Sequence, residues 1–167
     1  AVRATGEEVG VFEAVLEPLP GAQPDPDTLA WFARHPGAWE AATSGARPVP
    51  EVMAGYVAWL GSLPRPRGFA ASPLAFDGLW VDHYLRRFTG YGVNQGPYET
   101  DTVFDHGSLC LRSYAAAVTG MPVGEVSPHT LPPQWYGSVP HSHRAIDDAR
   151  GYAHLLVELF ARSGAVR

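Results

Sequence analysis

The sequence predicts an α/β domain, and three observations predict it. Runs with apolar residues at helical spacing alternate along the chain with short apolar runs bounded by Gly and Pro. A length of 167 residues with 46% hydrophobic content is enough for one sizeable core, so one domain over 1–167 is expected. Two of the helical runs open on acidic signatures, Phe76-Asp77 and His143-Arg-Ala-Ile-Asp-Asp148, which gathers polar chemistry where helices begin.

Composition narrows the function classes. A net charge of −5 argues against a globally basic nucleic-acid binder. It leaves room for a local site, because an enzyme that handles phosphodiesters through bound metal ions imports its positive charge with them. The chain has no Lys, and Asn94 and Ile146 are the single Asn and Ile. With abundant Ala, Gly and Pro, that bias points to a GC-rich, bacterial genome. Cys110 stands alone, so no internal disulfide forms, in agreement with a cytoplasmic setting. No apolar run approaches the ~18 residues of a membrane span and no signal peptide is visible, so no membrane partner is expected.

Taken in order, residues 5–8 read as a turn joining the tail of one strand at Ala1-Val2 to another running from Val9 to Leu16. Glu13 and Glu17 are read as solvent-side acids at its edge. Asp27 is expected to cap a helix crowded by Leu29, Trp31, Phe32 and Trp39, and Pro36 divides it in two. Those aromatics either pack inward or stack on nucleic-acid bases. A helix runs from Pro50 to Leu60, with Gly61-Ser62 near its end. Residues 68–76 read as a buried strand leading into Asp77 and an amphipathic helix through Leu79, Trp80, Tyr84, Leu85 and Phe88. Asp77 is either a helix cap or a functional acid. Residues 89–103 form a long loop expected near the rim of a site. Phe104-Asp105 repeats the dipeptide ahead of a strand end and helix over 109–120, and Asp77 is preferred to Asp105. Five prolines between Pro122 and Pro140 mark another loop. The last helix carries Ala145, Ala149, Tyr152, Ala153, Leu156, Leu159 and Phe160 on one face.

His143 precedes that helix and Asp148 lies in its first or second turn. The spacing His-x-Ala-x-x-Asp resembles the third motif of the DEDDh, or DnaQ-like, 3′-5′ exonucleases, which share an RNase H-like fold. Strand, Phe-Asp, helix resembles the second motif of that family. The stretch from Asp27 to Phe32 is similar to a Thr-Leu/Val-x-Trp-Trp segment of some bacterial and phage members. The element order agrees over nearly the whole chain. The resemblance implies an RNase H-like mixed sheet flanked by helices, with Asp77 and Asp148 as metal ligands. It further implies His143 as general base, Ala145 as a close-packing position, and two divalent ions, Mg²⁺ or Mn²⁺. The substrate implied is the 3′ end of single-stranded DNA or RNA. A catalytically impaired module that binds nucleic acid or protein is the alternative.

One departure stands out. The family's central first strand carries Asp-x-Glu, and nothing in the sequence matches it. That strand is expected upstream of Ala1, since without it the two halves of the sheet lack a common partner. His141 and His143, two apart, offer a competing metal pair, but a zinc site needs further ligands and Cys110 supplies no thiol cluster.

Overall fold

The computed structural model describes residues 1–96, 98–105, 107–139 and 142–165. It is mixed α/β, with six α-helices and one small parallel sheet among the described residues.

Helix α1 (Pro26–Ala33) starts where Asp25 accepts a hydrogen bond from the Thr28 N–H at 2.8 Å, with Pro26 as first residue. The cap is therefore Asp25 rather than Asp27, which falls in the first turn. Pro at the first helical position costs no hydrogen bond, and Asp25 sits where its carboxylate reaches the free N–H groups. Helix α2 (Pro36–Thr43) follows after the break expected at Pro36. Helix α3 (Val49–Ser62) buries Val49, Val52, Met53 and Leu60. Helix α4 (Leu79–Thr89) buries Leu85 completely and ends on Gly90 in the left-handed region. Helix α5 (Leu111–Thr119) and the long α6 (Ala145–Ser163) pack on each other.

Strand β1 (Ala70–Ala71) runs parallel to β2 (Leu109–Cys110), Ala70 opposite Leu109. The first is far shorter than the strand expected over 68–76, and the second agrees with the strand end expected ahead of α5. Pro73 cannot donate to a ladder, and the chain turns there into a wide π-helical turn, Leu74–Gly78, that feeds α4. The expected strand from Val9 to Leu16 is also absent as a strand. Its only strand-like pairing among the described residues is the isolated bridge of Leu16 with Arg47, and Val2 bridges Glu8 just before it. A strand exists only where a partner lies alongside, and between residues 9–12 and residues 69–72 lies a cleft of about 1070 Å³.

Two apolar clusters flank that cleft. One joins α5, α6 and the 126–135 segment through Leu111, Ala115, Val126, Leu131, Trp135, Leu155 and Leu159. The other joins α3 and α4 to Val93, Val103 and Phe104 of the long loop. On α6 the buried line is Gly151, Leu155 and Leu159. It is rotated from the expected face: Leu156 and Phe160 are half-buried, and Ala145 and Ala149 are exposed. The close-packing position is Gly151 against Tyr136, not Ala145. No helix among the described residues is long and apolar enough to cross a membrane.

Candidate active site

Asp77 lies inside the π-helical turn, and the cap position of α4 falls on Gly78, so Asp77 does not cap α4. The turn is tight on its inner side. A Cβ at Gly78 would stand 2.6 Å from Leu74 Cδ1, so only glycine lets the backbone after Asp77 pass Leu74 without a shift.

Asp148 stands in the first turn of α6, where its N–H donates to the Arg144 carbonyl at 3.2 Å. It precedes Leu155 by seven residues and Leu159 by eleven. These are helical repeats, so Asp148 heads the stripe whose later members are fully buried. Asp148 lines the cleft together with Tyr152 and Leu156, one and two turns further on, and Asp77 lines it too.

Asp77 feels the charge of Asp148. Burial raises Asp77 above the usual carboxylate range, and the negative charge of Asp148 raises it further. Tyr152, one turn beyond Asp148, has its phenol pushed up by burial, with a hydrogen bond to Ser72 opposing and the charges of Asp148 and Asp77 adding. Ser72, Asp77, Asp148 and Tyr152 therefore form the polar end of the cleft. Its other wall is aromatic: Phe12 packs on Tyr56 and Trp59 at 5.2 and 5.7 Å between ring centres. Burial pushes Tyr56 to about 12. Three arginines along the cleft are paired with acids, Arg3 with Glu7 at 2.9 Å, Arg150 with Glu8 at 3.3 Å and Arg65 with Asp105, while the Arg67 guanidinium donates to main-chain carbonyls of Gly61, Leu63 and Val103.

Asp105 is occupied otherwise. The Arg67 N–H donates to its carboxylate at 2.7 Å and the Arg65 guanidinium closes the same group, which holds it below the usual range. It locks the 65–67 segment to the long loop.

His143 adopts φ 61°, the left-handed region that non-glycine residues rarely enter. Its ring meets Trp31 edge-on at 5.1 Å and His35 at 5.2 Å, while Trp31 and His35 stack at 4.1 Å. His35 is itself oriented by a 2.9 Å contact between its Nδ1 and the Trp31 carbonyl. Glu13, expected as a plain surface acid, is exposed but ties to Arg144 at 3.3 Å, which fastens the residue after His143 to the N-terminal segment. His141 lies outside the described residues, so the alternate-histidine metal pair does too.

No protein-family model, curated protein or solved structure matches the chain.

The structure therefore draws Asp77 and Asp148 to one place and sets His143 on α1. Ser72 and His35 were not singled out in the sequence, and Tyr152 was read only as part of an apolar face. Their signals are visible in hindsight: Tyr152 follows Asp148 and His35 follows Trp31 by four, one helical turn in each case. Among the described residues no three His, Cys, Asp or Glu side chains gather as around a metal ion. Two facing carboxylates still suit one hard divalent cation, because Mg²⁺ is commonly held by one or two carboxylates with water and substrate phosphate completing the shell. A second ion would need acids beyond these two.

Proposed function

We propose that this chain is a DEDDh-like exonuclease domain on an RNase H-like frame, which hydrolyses the 3′-terminal phosphodiester of single-stranded DNA or RNA. The observation that carries the reading is that Asp77 and Asp148, from elements some seventy residues apart, line one cleft, where the charge of Asp148 helps to raise Asp77. The order of elements, with a Phe-Asp turn before one helix and His143-x-Ala-x-x-Asp148 opening another, supports the same reading.

In this mechanism Asp77 and Asp148 would hold Mg²⁺ or Mn²⁺, which would supply charge neutralisation at the phosphate. The family pattern calls for two ions, and the pair accounts for one. Water attacks the terminal phosphorus in line with the 3′ oxygen of the preceding nucleotide. A bond forms from phosphorus to the water oxygen, and the bond to the 3′ oxygen breaks. His143 takes the water's proton at an imidazole nitrogen, and the departing 3′ oxygen takes a proton from solvent. The product is a nucleoside 5′-monophosphate.

Release of mononucleotides from a labelled oligonucleotide in Mn²⁺ tests this. His143→Ala is expected to lower turnover by ~10²–10⁴ and leave calorimetric metal affinity in place. Asp148→Ala is expected to lower both. Metal binding lost equally in the two variants would overturn the general-base role. A second reading, a module that binds nucleic acid or protein without cutting, draws on the few acids that line the cleft among the described residues, Asp77, Asp148 and a Glu8 tied to Arg150. Oligonucleotide binding with no hydrolysis in any divalent metal would favour it.

A further inference from the structure

Two stretches of chain line the cleft without a break, residues 1–6 and residues 68–72. In an extended segment successive side chains point to opposite faces, so a cavity on one face meets every second residue. A cavity lined by consecutive residues runs along the edge, where the main chain makes its hydrogen bonds. In β1 the Phe69 carbonyl accepts from the Leu109 N–H at 2.8 Å, so residues 69 and 71 serve β2, and the N–H and C=O of Ala70 between them point to the opposite edge. β2 is the only strand beside β1 among the described residues. In the N-terminal stretch the bridge of Val2 with Glu8 is made by their neighbours, the Arg3 N–H to the Glu7 carbonyl at 2.8 Å and the Val9 N–H to the Ala1 carbonyl at 3.0 Å. The N–H and C=O of Val2 therefore also point outward, away from Glu8.

The other two walls are helical and apolar. Trp59, Leu60 and Leu63, in and just after α3, line one of them, and Ala149, Ala153 and Leu156 of α6 the other. β1 has the same two neighbours, since Phe69 packs with the cluster of α3 and Ala70, on the opposite face, with the cluster of α6. We propose that the cleft is a slot for one extended segment of a partner polypeptide, apolar on both faces, which pairs with β1 on one edge and with residues 1–3 on the other. The occupant becomes the middle strand of one sheet covered by helices on both faces, where strands are near-continuous apolar runs. The unbroken lining over residues 68–72 gives it a length of about five residues at ~3.3 Å each.

What the edges need singles out a peptide. Main-chain N–H and C=O groups removed from water cost free energy unless they are paired. A small apolar molecule would cover the helical walls and leave both edges bare, and a nucleic-acid strand carries no matching alternation of donors and acceptors. An extended main chain serves both edges at once, as in partners that add a strand to an exposed sheet edge. Residues 1–167 hold no such segment in reserve, because those outside the described set come singly or in pairs. The slot rests on main-chain edges and apolar walls, so it stands or falls apart from the reading of Asp77 and Asp148.

The experiment is calorimetric titration of the full chain with a blocked peptide of five valines flanked by a lysine at each end, alongside amide hydrogen exchange by NMR. Saturable binding is expected, with exchange of the Ala70 and Val2 amides slowed by about tenfold or more. Two N-methylated peptides follow, one methylated at the first, third and fifth valines and the other at the second and fourth. Alternate N–H groups of an inserted strand point to opposite edges. Each peptide is therefore expected to bind about tenfold or more weakly than the parent, the loss of one hydrogen bond or two. Ala153→Phe, which sets a ring on the α6 wall, is expected to weaken the parent peptide as well, and circular dichroism checks that the variant folds. Absence of saturable binding at concentrations on the order of 1 mM would overturn the slot. So would N-methylated peptides that bind like the parent, since the contact would then be apolar alone, or a loss in one of them only, since a single edge would then be paired. A dimer in sedimentation that protects the same amides without peptide would overturn it too, the occupant being a second copy. Mononucleotide release is scored separately, and its absence refutes the nuclease reading without touching strand binding.

Discussion

Leu155→Ala tests whether packing on α6 is what aims Asp148. Leu155 is 1% exposed, in one cluster with Leu111, Trp135 and Leu159. Truncation of a fully buried Leu removes its transfer free energy and leaves a cavity, a loss of ~2–5 kcal/mol. The site cannot collapse easily, because α5 and the segment before Trp135 close it from two sides. At ~2–4 °C per kcal/mol for a chain of this size, Tm is expected to fall by roughly 5–20 °C. Leu156 belongs to the face that apolar spacing alone picks out, but it is only half-buried. Leu156→Ala should therefore cost clearly less, and the comparison isolates the register of the helix. The assay is urea unfolding followed by circular dichroism for both variants, with Mn²⁺ affinity measured at a temperature where each is folded. Leu155→Ala is expected to weaken Mn²⁺ binding as well, since Asp148 heads the stripe that Leu155 anchors. A larger loss at Leu156 than at Leu155 would refute the register, and unchanged metal affinity in Leu155→Ala would refute the link from packing to carboxylate.

Other consequences follow from single contacts. Asp77 is raised in the folded state, so its protonated form is favoured there, and its contribution to stability is present at low pH and lost as pH rises through the folded value. Asp77→Asn is accordingly expected to stabilise the metal-free protein at neutral pH and to make no difference below the unfolded value of ~3.9; chemical denaturation at both pH values checks it, and destabilisation at neutral pH would sink it. Gly137 has φ 68° and ψ −157°, a region essentially confined to glycine, and a Cβ there would stand 2.7 Å from His154 Cδ2. Gly137→Ala is expected to cost ~1–3 kcal/mol from backbone strain, read by urea titration, and a neutral result would contradict the backbone geometry. Trp31→Ala is expected to shift the His143 ring resonances in NMR spectra toward those of an unstructured histidine, with Trp31→Phe in between; identical spectra would show that α1 does not hold the imidazole.

The helices were legible because their apolar residues repeat at a local period, and Pro36 marked the break between α1 and α2 without help from the rest of the chain. Caps were less so. Asp25 and Asp27 both precede the apolar run, and only Pro26 at the first helical position separates them. Strands failed for a physical reason: pairing is nonlocal, and the apolar segments at Val9–Leu16 and 68–76 carry strand composition whether or not a neighbour lies beside them. The structure gives β1 one partner and the N-terminal segment only isolated bridges. Asp77 and Asp148 could each be singled out from a turn or helix start, yet their proximity could not, since it depends on how α6 rotates on α5. Leu155 shows the difficulty: an α-helical period fits the line through Leu155 and the line through Leu156, and only Tyr136 and Trp135 packing against α6 decide between them.

The same nonlocality explains where the chemistry sits. Each apolar cluster is internally satisfied, one around α6 and the other between α3 and α4, and the cleft runs where neither closes against the other. A charged pair placed within either cluster would lose its water without compensation. On an open exterior it would be fully hydrated and have little reason to hold a cation against water. The polar end of the cleft is between these limits: Asp77 is desolvated enough to be raised, Asp148 is half-buried, and Tyr152 with Ser72 supplies hydroxyls rather than charges. Around it Arg3, Arg150 and Arg65 are tied to Glu7, Glu8 and Asp105, and the Arg67 guanidinium donates to main-chain carbonyls. The proposed function would place a divalent ion at this polar end, held by Asp77 and Asp148 with water and substrate phosphate completing its shell.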